Sequence, residues 1–284
     1  MESIFDRYGA PVLTLLFIIL MVMESRFQLR RRVQHRWKRV IINFAVSIPA
    51  FLLLRLMFIP LMVWLALENR GWQIGLTYLL ELPAFVEAMA TVLLLDYSNY
   101  LWHVLLHRLP VLWRFHLVHH TDLDLDVTTA FRFHFGEMIG SVFFRGAAIL
   151  LIGATPLMVV VYEIAFEAAT AFHHSNIKMP LRLERVLNFF IVTPRMHGIH
   201  HSIVKRETDS NFAVIFSLWD RLHRTVRLNI PQHEVVIGVP TYHNENELTI
   251  GHLLKLPFTK IRPWSGPLKR PSGDGAEGRG QKTL

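Results

Sequence analysis

Apolar residues in this chain fall in long blocks rather than in alternation, and the blocks divide it. Residues 8–23 form an apolar run just long enough to cross a bilayer at about 1.5 Å per residue. A secretory leader is the competing reading. The run has no basic start and no small-residue cleavage site after it, so a retained helix is expected. Arg26, Arg30, Arg31, Arg32, Arg36, Lys38 and Arg39 crowd the loop that follows. By the positive-inside rule this loop is expected on the cytoplasmic side, with the N-terminus outside. Residues 40–67 read as a second span, interrupted by Arg55, which must snorkel or meet a partner within the protein. Glu68, Asn69, Arg70 and Gly71 read as a short outer turn, after which the chain returns through residues 79–95. Glu87 falls inside that return and is expected to face the bundle interior.

The polar stretch 103–140 then belongs on the cytoplasmic side. Residues 141–172 are apolar again but broken at Gly153-Ala154-Thr155-Pro156. A single straight span would carry everything after it to the opposite face. A re-entrant hairpin of two short helices, each about a dozen residues, brings the chain back, and Gly and Pro favour the turn. The pattern predicts Ile152 near Pro156 at the deep end, with Ser141 and Phe172 close together at the mouth. Residues 180–192 place Leu183, Val186, Leu187 and Phe190 on one helical face, near Arg182, Arg185 and Arg195. That suits a helix lying in the membrane interface. A weaker helical pattern recurs at 248–256. From 265 onward Gly, Pro, Lys and Arg recur without a period, which reads as a disordered tail. The expected organisation is an N-terminal transmembrane region (1–78), a catalytic region (79–230), a C-terminal cap segment (231–264) and the tail (265–284). The expected fold is all-α: an integral membrane helical bundle with a cytoplasmic helical cap.

Composition agrees with the membrane reading, since mean hydropathy is positive at +0.32. There is no cysteine, which excludes disulfides, thiolate zinc sites, iron–sulfur clusters and a cysteine nucleophile. The net charge of +8 comes from basic residues flanking apolar runs, so an anionic inner leaflet, not nucleic acid, is the expected partner.

The sixteen histidines add the chemistry. His103 and His107 lie four apart, one turn of a helix. His116, His119 and His120 form H-x-x-H-H, and His197, His200 and His201 repeat it. Spacings of three and four share one helical face. His173 and His174 follow the proposed hairpin. Neutral imidazole is a good ligand for iron, zinc and copper. The boxed histidines with one of the 173/174 pair exceed what one tetrahedral zinc uses, and two six-coordinate iron ions fit them best. His35, His223, His233, His243 and His252 read as surface or interfacial residues. A ligating histidine usually passes its other N–H to a carboxylate or carbonyl. Asp96, Glu137, Asp209, Asn211 and Asp220 are candidates for that role, each equally readable as a cap or loop residue. Two other readings stay open: a zinc hydrolase, disfavoured by the lack of H-E-x-x-H, and a non-catalytic metal-binding membrane protein.

The ordered set HxxxH, HxxHH, HxxHH resembles the fatty acid hydroxylase/sterol desaturase superfamily, over about residues 96–225. Supporting segments are Asp96-Tyr97-Ser98-Asn99-Tyr100-Leu101-Trp102-His103, Arg132-Phe133-His134-Phe135-Gly136-Glu137 and His173-His174-Ser175-Asn176. Thr193-Pro194-Arg195-Met196-His197, Asp209-Ser210-Asn211-Phe212 and Trp219-Asp220-Arg221-Leu222 complete them. The resemblance implies a membrane di-iron enzyme that uses O2 to hydroxylate or desaturate a lipid. It implies that His103, His107, His116, His119, His120, His197, His200 and His201 are ligands, joined by His173 or His174, with His134 and Asn176 close to the site. The chain departs from the usual pattern at Phe135, where Pro is commoner, at Ala169, where a histidine sometimes stands, and at Leu222-His223-Arg224-Thr225 in place of Leu-Phe-Gly-Thr. No His-Pro-Gly-Gly haem segment and no Gly-x-Gly-x-x-Gly occurs in the sequence, so electrons are expected from a separate electron-transfer protein.

Overall fold

The computed structural model describes residues 5–80 and 82–265. The tail expected from residue 265 falls almost wholly outside the described residues. All the regular structure described is helical, apart from three isolated bridges such as Gln28 with Ile177.

Helix α1 (Ala10–Arg26) follows a π-helical turn. Helix α2 (Arg36–Leu53) runs through a second π-helical turn, Leu54–Phe58, into α3 (Ile59–Trp72) without a break. Pro60 explains the widened turn: its nitrogen cannot donate, and its ring crowds the preceding carbonyls. Arg55 finds its partner there, an ion pair with Asp6. The outer turn expected at 68–71 is instead the last part of α3. The reversal comes at Gln73, which adopts φ 52° while Asn69 bonds both polar backbone groups of Ile74. A short helix α4 (Leu76–Leu80) precedes α5 (Ala84–Arg108), the 25-residue return helix. Glu87 is not fully enclosed in the bundle. It sits half-buried in the first turn of α5, where a carboxylate complements the helix dipole.

Leu109 is extended, and Pro110 opens α6 (Pro110–His120). Proline suits a first helical position because its missing N–H would be unpaired there anyway. Then come α7 (Phe135–Ile152) and α8 (Pro156–His174). They form the expected entering and returning pair. Gly153 takes φ 83°, a left-handed angle, and a Cβ there would lie 2.3 Å from Thr77 Oγ1. Thr77 donates to the Gly153 carbonyl at 2.9 Å, so the hairpin tip seats on α4. The helices are longer than expected, 18 and 19 residues, or about 27 Å each. That approaches the ~30 Å apolar core of a bilayer, so both helices are long enough to cross it, where a shallower re-entry was expected. The difference arises because His134 caps Gly136 N–H and starts α7 ahead of Ser141. Four stretches among the described residues are long and apolar enough to cross a membrane: Phe5–Arg26, Arg36–Leu80, Phe135–Ile152 and Pro156–His174.

The remaining helices, α9 (Leu181–Phe190), α10 (Pro194–His200), α11 (Lys205–Thr208), α12 (Leu218–Leu222) and α13 (Ile250–Lys255), build a cap. Helix α9 has the expected amphipathic pattern but turns it outward. Glu184 and Asn188 are buried, while Leu183, Val186 and Phe190 stand exposed. An apolar face directed away from the protein is what an interfacial helix needs. Leu248, Leu253 and Leu256 share one apolar cluster with Leu117, Val118 and Val46; α13 packs on α2, and the turn after it, Leu256–Phe258, packs on α6.

The basic loop is not simply a surface charge belt. Arg39 is buried between Asp122 (2.7 Å) and Asp126 (2.6 Å), and Asn43 donates to Asp122. Asp124 accepts from Val33 and Gln34 N–H. Glu24 accepts from Val127 and Asn176 N–H. These bonds clamp the loop after α1 to the segment following His120. The loop and the histidines therefore share one end of an integral membrane bundle, and the Gln73 and Gly153 turns share the other.

Candidate metal centre

Four helices end at one place. Helix α5 brings His103 and His107, α6 ends in His116, His119 and His120, α8 ends in His174, and α10 brings His197 and His200 with His201 as its cap. The C-terminal ends of helices carry partial negative charge, so the four together favour a cation between them. The i, i+3 and i, i+4 spacings read from the sequence become adjacent rings once these last turns converge.

The rings sort into two groups. His103, His107, His116, His120 and His200 form one, and His119, His174, His197 and His201 form the other. Within each group the ligand nitrogens lie within 4.8 Å of one another, and all nine residues are buried. His119 and His174 bring their Nε2 atoms to 3.0 Å, His174 and His197 to 3.0 Å, His197 and His201 to 3.1 Å, and His116 and His120 to 3.2 Å.

The partners of the other ring nitrogens show what this means. His103 Nδ1 donates to the Phe212 carbonyl (2.7 Å), His200 Nδ1 to the Ser210 carbonyl (2.8 Å) and His174 Nδ1 to the Thr170 carbonyl (2.8 Å). His116 Nδ1 meets Glu137 Oε2 at 3.1 Å. With Nδ1 carrying the proton, Nε2 presents a lone pair inward. Nε2 of His103, His107 and His200 is buried with no hydrogen-bond partner. Burial first, and then neighbouring imidazoles, hold His119, His120, His197, His200 and His201 well below the usual histidine value. They are therefore neutral near pH 7. Converging lone pairs repel one another and cost free energy when buried unpaired, unless a cation lies between them. The donor set thus fits two metal ions, one per group.

Other expected site residues fall differently. His173 is buried beside the cage, its ring 4.1 Å from that of His197, but it belongs to neither group and bonds the Val214 carbonyl. Of the pair, His174 alone supplies a nitrogen to the cage. His134 is the cap of α7 and reaches the Leu254 carbonyl; it does not contact the cage as a supporting residue. Asn176 clamps Arg30 instead of a histidine. Glu137 supports His116 directly. Asp209 Oδ1 stands 3.5 Å from His107 Nδ1 and is held by Lys205. Asp96, Asn211 and Asp220 act one step back. Asp220 accepts from Phe212 and Ala213 N–H, Asp96 from Ile215 and Phe216 N–H, and Asn211 ties Met196 to Arg227. Together they hold the loop whose carbonyls orient His103 and His200. Sequence reading missed those carbonyls, because main-chain acceptors leave no side-chain pattern. It also missed Trp113 against His107 (4.9 Å) and Phe133 stacked on His119 (5.0 Å).

A cavity of about 510 Å³ leads from His103, His116, His119, His173, His174 and His197 between α1, α2, α7 and α8. Its walls are mainly apolar and aromatic, including Phe17, Phe44, Phe131 and Trp102.

Membrane-length helices, a two-part histidine cage that could hold metal and an apolar cavity meeting at that cage define an integral membrane protein with a candidate metal centre. Residues 88–225 match the sequence model of the fatty acid hydroxylase family, and this domain, which contains all nine cage histidines, belongs to that family. An ornithine lipid hydroxylase of Rhizobium tropici is 31% identical over 144 residues, 49% of this chain and 41% of that protein. The cholesterol 25-hydroxylase of Mus musculus is 28% identical over 153 residues, 52% of this chain and 50% of that protein. The alkylglycerol monooxygenase of Xenopus tropicalis is 31% identical over 149 residues, 52% of this chain and 31% of that protein. The chain thus spans about half or less of the length of these curated relatives. No solved structure matches it significantly.

Proposed function

We propose that this protein is a membrane-embedded oxidoreductase that hydroxylates a C–H bond of a lipid, using two iron ions and O2. The observation that carries this reading is the double histidine cage at the end of an apolar cavity. The relatives are named as hydroxylases and monooxygenases, which supports hydroxylation as the outcome. The ligands are His103, His107, His116, His120 and His200 for one ion, and His119, His174, His197 and His201 for the other. Bound there, the two irons supply activation of O2 and oxidation of the C–H bond.

The chain's own part is binding and positioning. Glu137 and the loop carbonyls fix ring orientation by accepting Nδ1–H. Phe133, Trp113 and Phe212 pack against the rings and exclude water. The aromatic walls take up the lipid and present one carbon to the cage. On this reading residues 1–78 anchor the protein, 79–230 perform the chemistry and 231–264 close the cap, with the cage at the cytoplasmic face. Electrons come from a separate carrier protein.

The test is metal analysis of the purified full chain, together with lipidomics of cells with and without it. Two irons per chain and lipid products shifted by +16 mass units, one oxygen atom, are expected. One zinc per chain with no oxygenated product would overturn the proposal.

A further inference from the structure

The cavity contains a second polar layer, away from the cage. Along α7, Glu137, Ser141 and Arg145 line it at four-residue intervals on one face. Along α8, Glu163, Glu167, Thr170 and His174 line it at intervals of four and three on one face. Arg145 is fixed in place: it pairs with Glu163 and lies over the rings of Phe58 (4.9 Å) and Phe166 (4.8 Å). Its charge is thereby matched. Glu167, one turn nearer the cage, faces the cavity and makes no hydrogen bond among the described residues. The rise of α8 puts Glu167 about 10 Å from His174 along the helix axis. A carboxyl in an apolar, membrane-level cavity is costly unless it meets a donor.

We propose that Glu167 and Arg145 form a subsite for a neutral hydroxyl group of the lipid substrate. The hydroxyl donates to Glu167 and can accept from Arg145. A fatty acid carboxylate meets two glutamates here and is disfavoured. An ammonium group would be drawn to Glu167, but it would have to shed its water in an apolar, membrane-level cavity, and that desolvation disfavours it against a neutral hydroxyl. The substrate class is therefore a long amphiphilic alcohol whose hydroxyl lies about 10 Å or more from the carbon presented to the cage, which sets the position oxidised. This rests on reading the cavity as the substrate site of the proposed hydroxylase.

The test uses the metal-free full chain in detergent and three probes of equal chain length: 1-hexadecanol, hexadecane and hexadecylamine. Affinity is read from the rise of the melting midpoint with probe concentration. Hexadecanol is expected to bind about tenfold more tightly than either other probe. Glu167→Leu should erase that preference, and Glu167→Gln, which keeps a polar group of the same size, should retain part of it. Leu151→Ala, at an exposed position on α7, should leave it unchanged. Equal binding of hexadecanol and hexadecane, a preference for the amine, or an undiminished preference in Glu167→Leu would each overturn the subsite. Because no metal is needed, this result is independent of the iron and mass-shift measurements. A preference for the alcohol in a protein that binds no iron would leave the subsite standing and remove the hydroxylase.

Discussion

Four of the cage histidines, His103, His116, His174 and His200, have Nδ1 held by an acceptor, which turns Nε2 toward the cage. The nine cage residues present nitrogens to one of two points, and His173, although buried among them, does not. His120→Ala and His174→Ala are therefore expected to lower bound iron per chain sharply. His134→Ala should change iron content little, since His134 caps a helix. Glu137→Gln keeps the fold but weakens the orientation of His116, and a loss of about 10- to 100-fold in iron affinity is expected. Metal titration of the purified variants checks all of these; normal iron in His174→Ala would remove that residue from the ligand set. The depressed histidines also set a pH dependence. Burial and neighbouring imidazoles keep His119, His120, His197, His200 and His201 unprotonated in the folded chain, whereas unfolded histidines titrate near ~6.5. Below that value the unfolded chain binds more protons than the folded one, so stability is lost as pH falls. The melting midpoint of the metal-free protein should be flat above about pH 7.5 and drop steadily toward about pH 5. A flat profile across that range would show that the rings are not held neutral by burial.

At the scale of elements, the cage depends on how the segment after α6 is tied down. Arg39 of α2 meets Asp122 and Asp126, and both partners lie far along the chain from it. Removing one member of such a pair leaves buried charges uncompensated. Arg39→Ala is expected to cost about 3–5 kcal/mol of stability, measured as a lowered melting midpoint in detergent. A variant as stable as the parent would mean that water reaches Asp122 and Asp126. This network was not legible in the sequence, because the basic residues there also fit a membrane-facing loop. The break at Gly153 was legible, since a left-handed angle followed by Pro156 is a local matter. The lengths of α7 and α8 were not: a histidine acting as a helix cap does not announce itself, and the apolar count alone began the helix too late.

For the whole molecule, the decisive fact is that the chain crosses back and forth so that four helix ends meet. The loop carrying Arg31 and the cap carrying Arg206 lie at the cage end, and Arg70 lies at the other. The chain has no native cysteine, so single cysteines report cleanly. Cysteines at Arg31 and Arg206 are expected to be labelled from the same side of sealed vesicles, and one at Arg70 from the opposite side. Labelling of 31 and 206 from different sides would break the common metal centre. The outward apolar face of α9 belongs to this scale as well. Leu183, Val186 and Phe190 look misplaced on a soluble fold, and they suit the depth at which the cage end meets the membrane surface.

The sequence by itself determined what depends on near neighbours. Apolar runs located the spans, though not their ends, and spacings of three and four put histidines on shared faces. Gly153 and Pro156 set the reversal, and the absence of cysteine excluded thiolate sites while the clustered histidines offered imidazole nitrogens. Tertiary structure decided what depends on residues far apart. It split the nine histidines into two groups, set His174 and not His173 in the cage, made loop carbonyls the partners of His103 and His200, and put Glu167 and Arg145 on the wall of one cavity. The reason is physical. Helical spacing fixes which side chains share a face through bonds of a few residues' reach, whereas the partner that face meets is fixed by packing between helices distant in the chain.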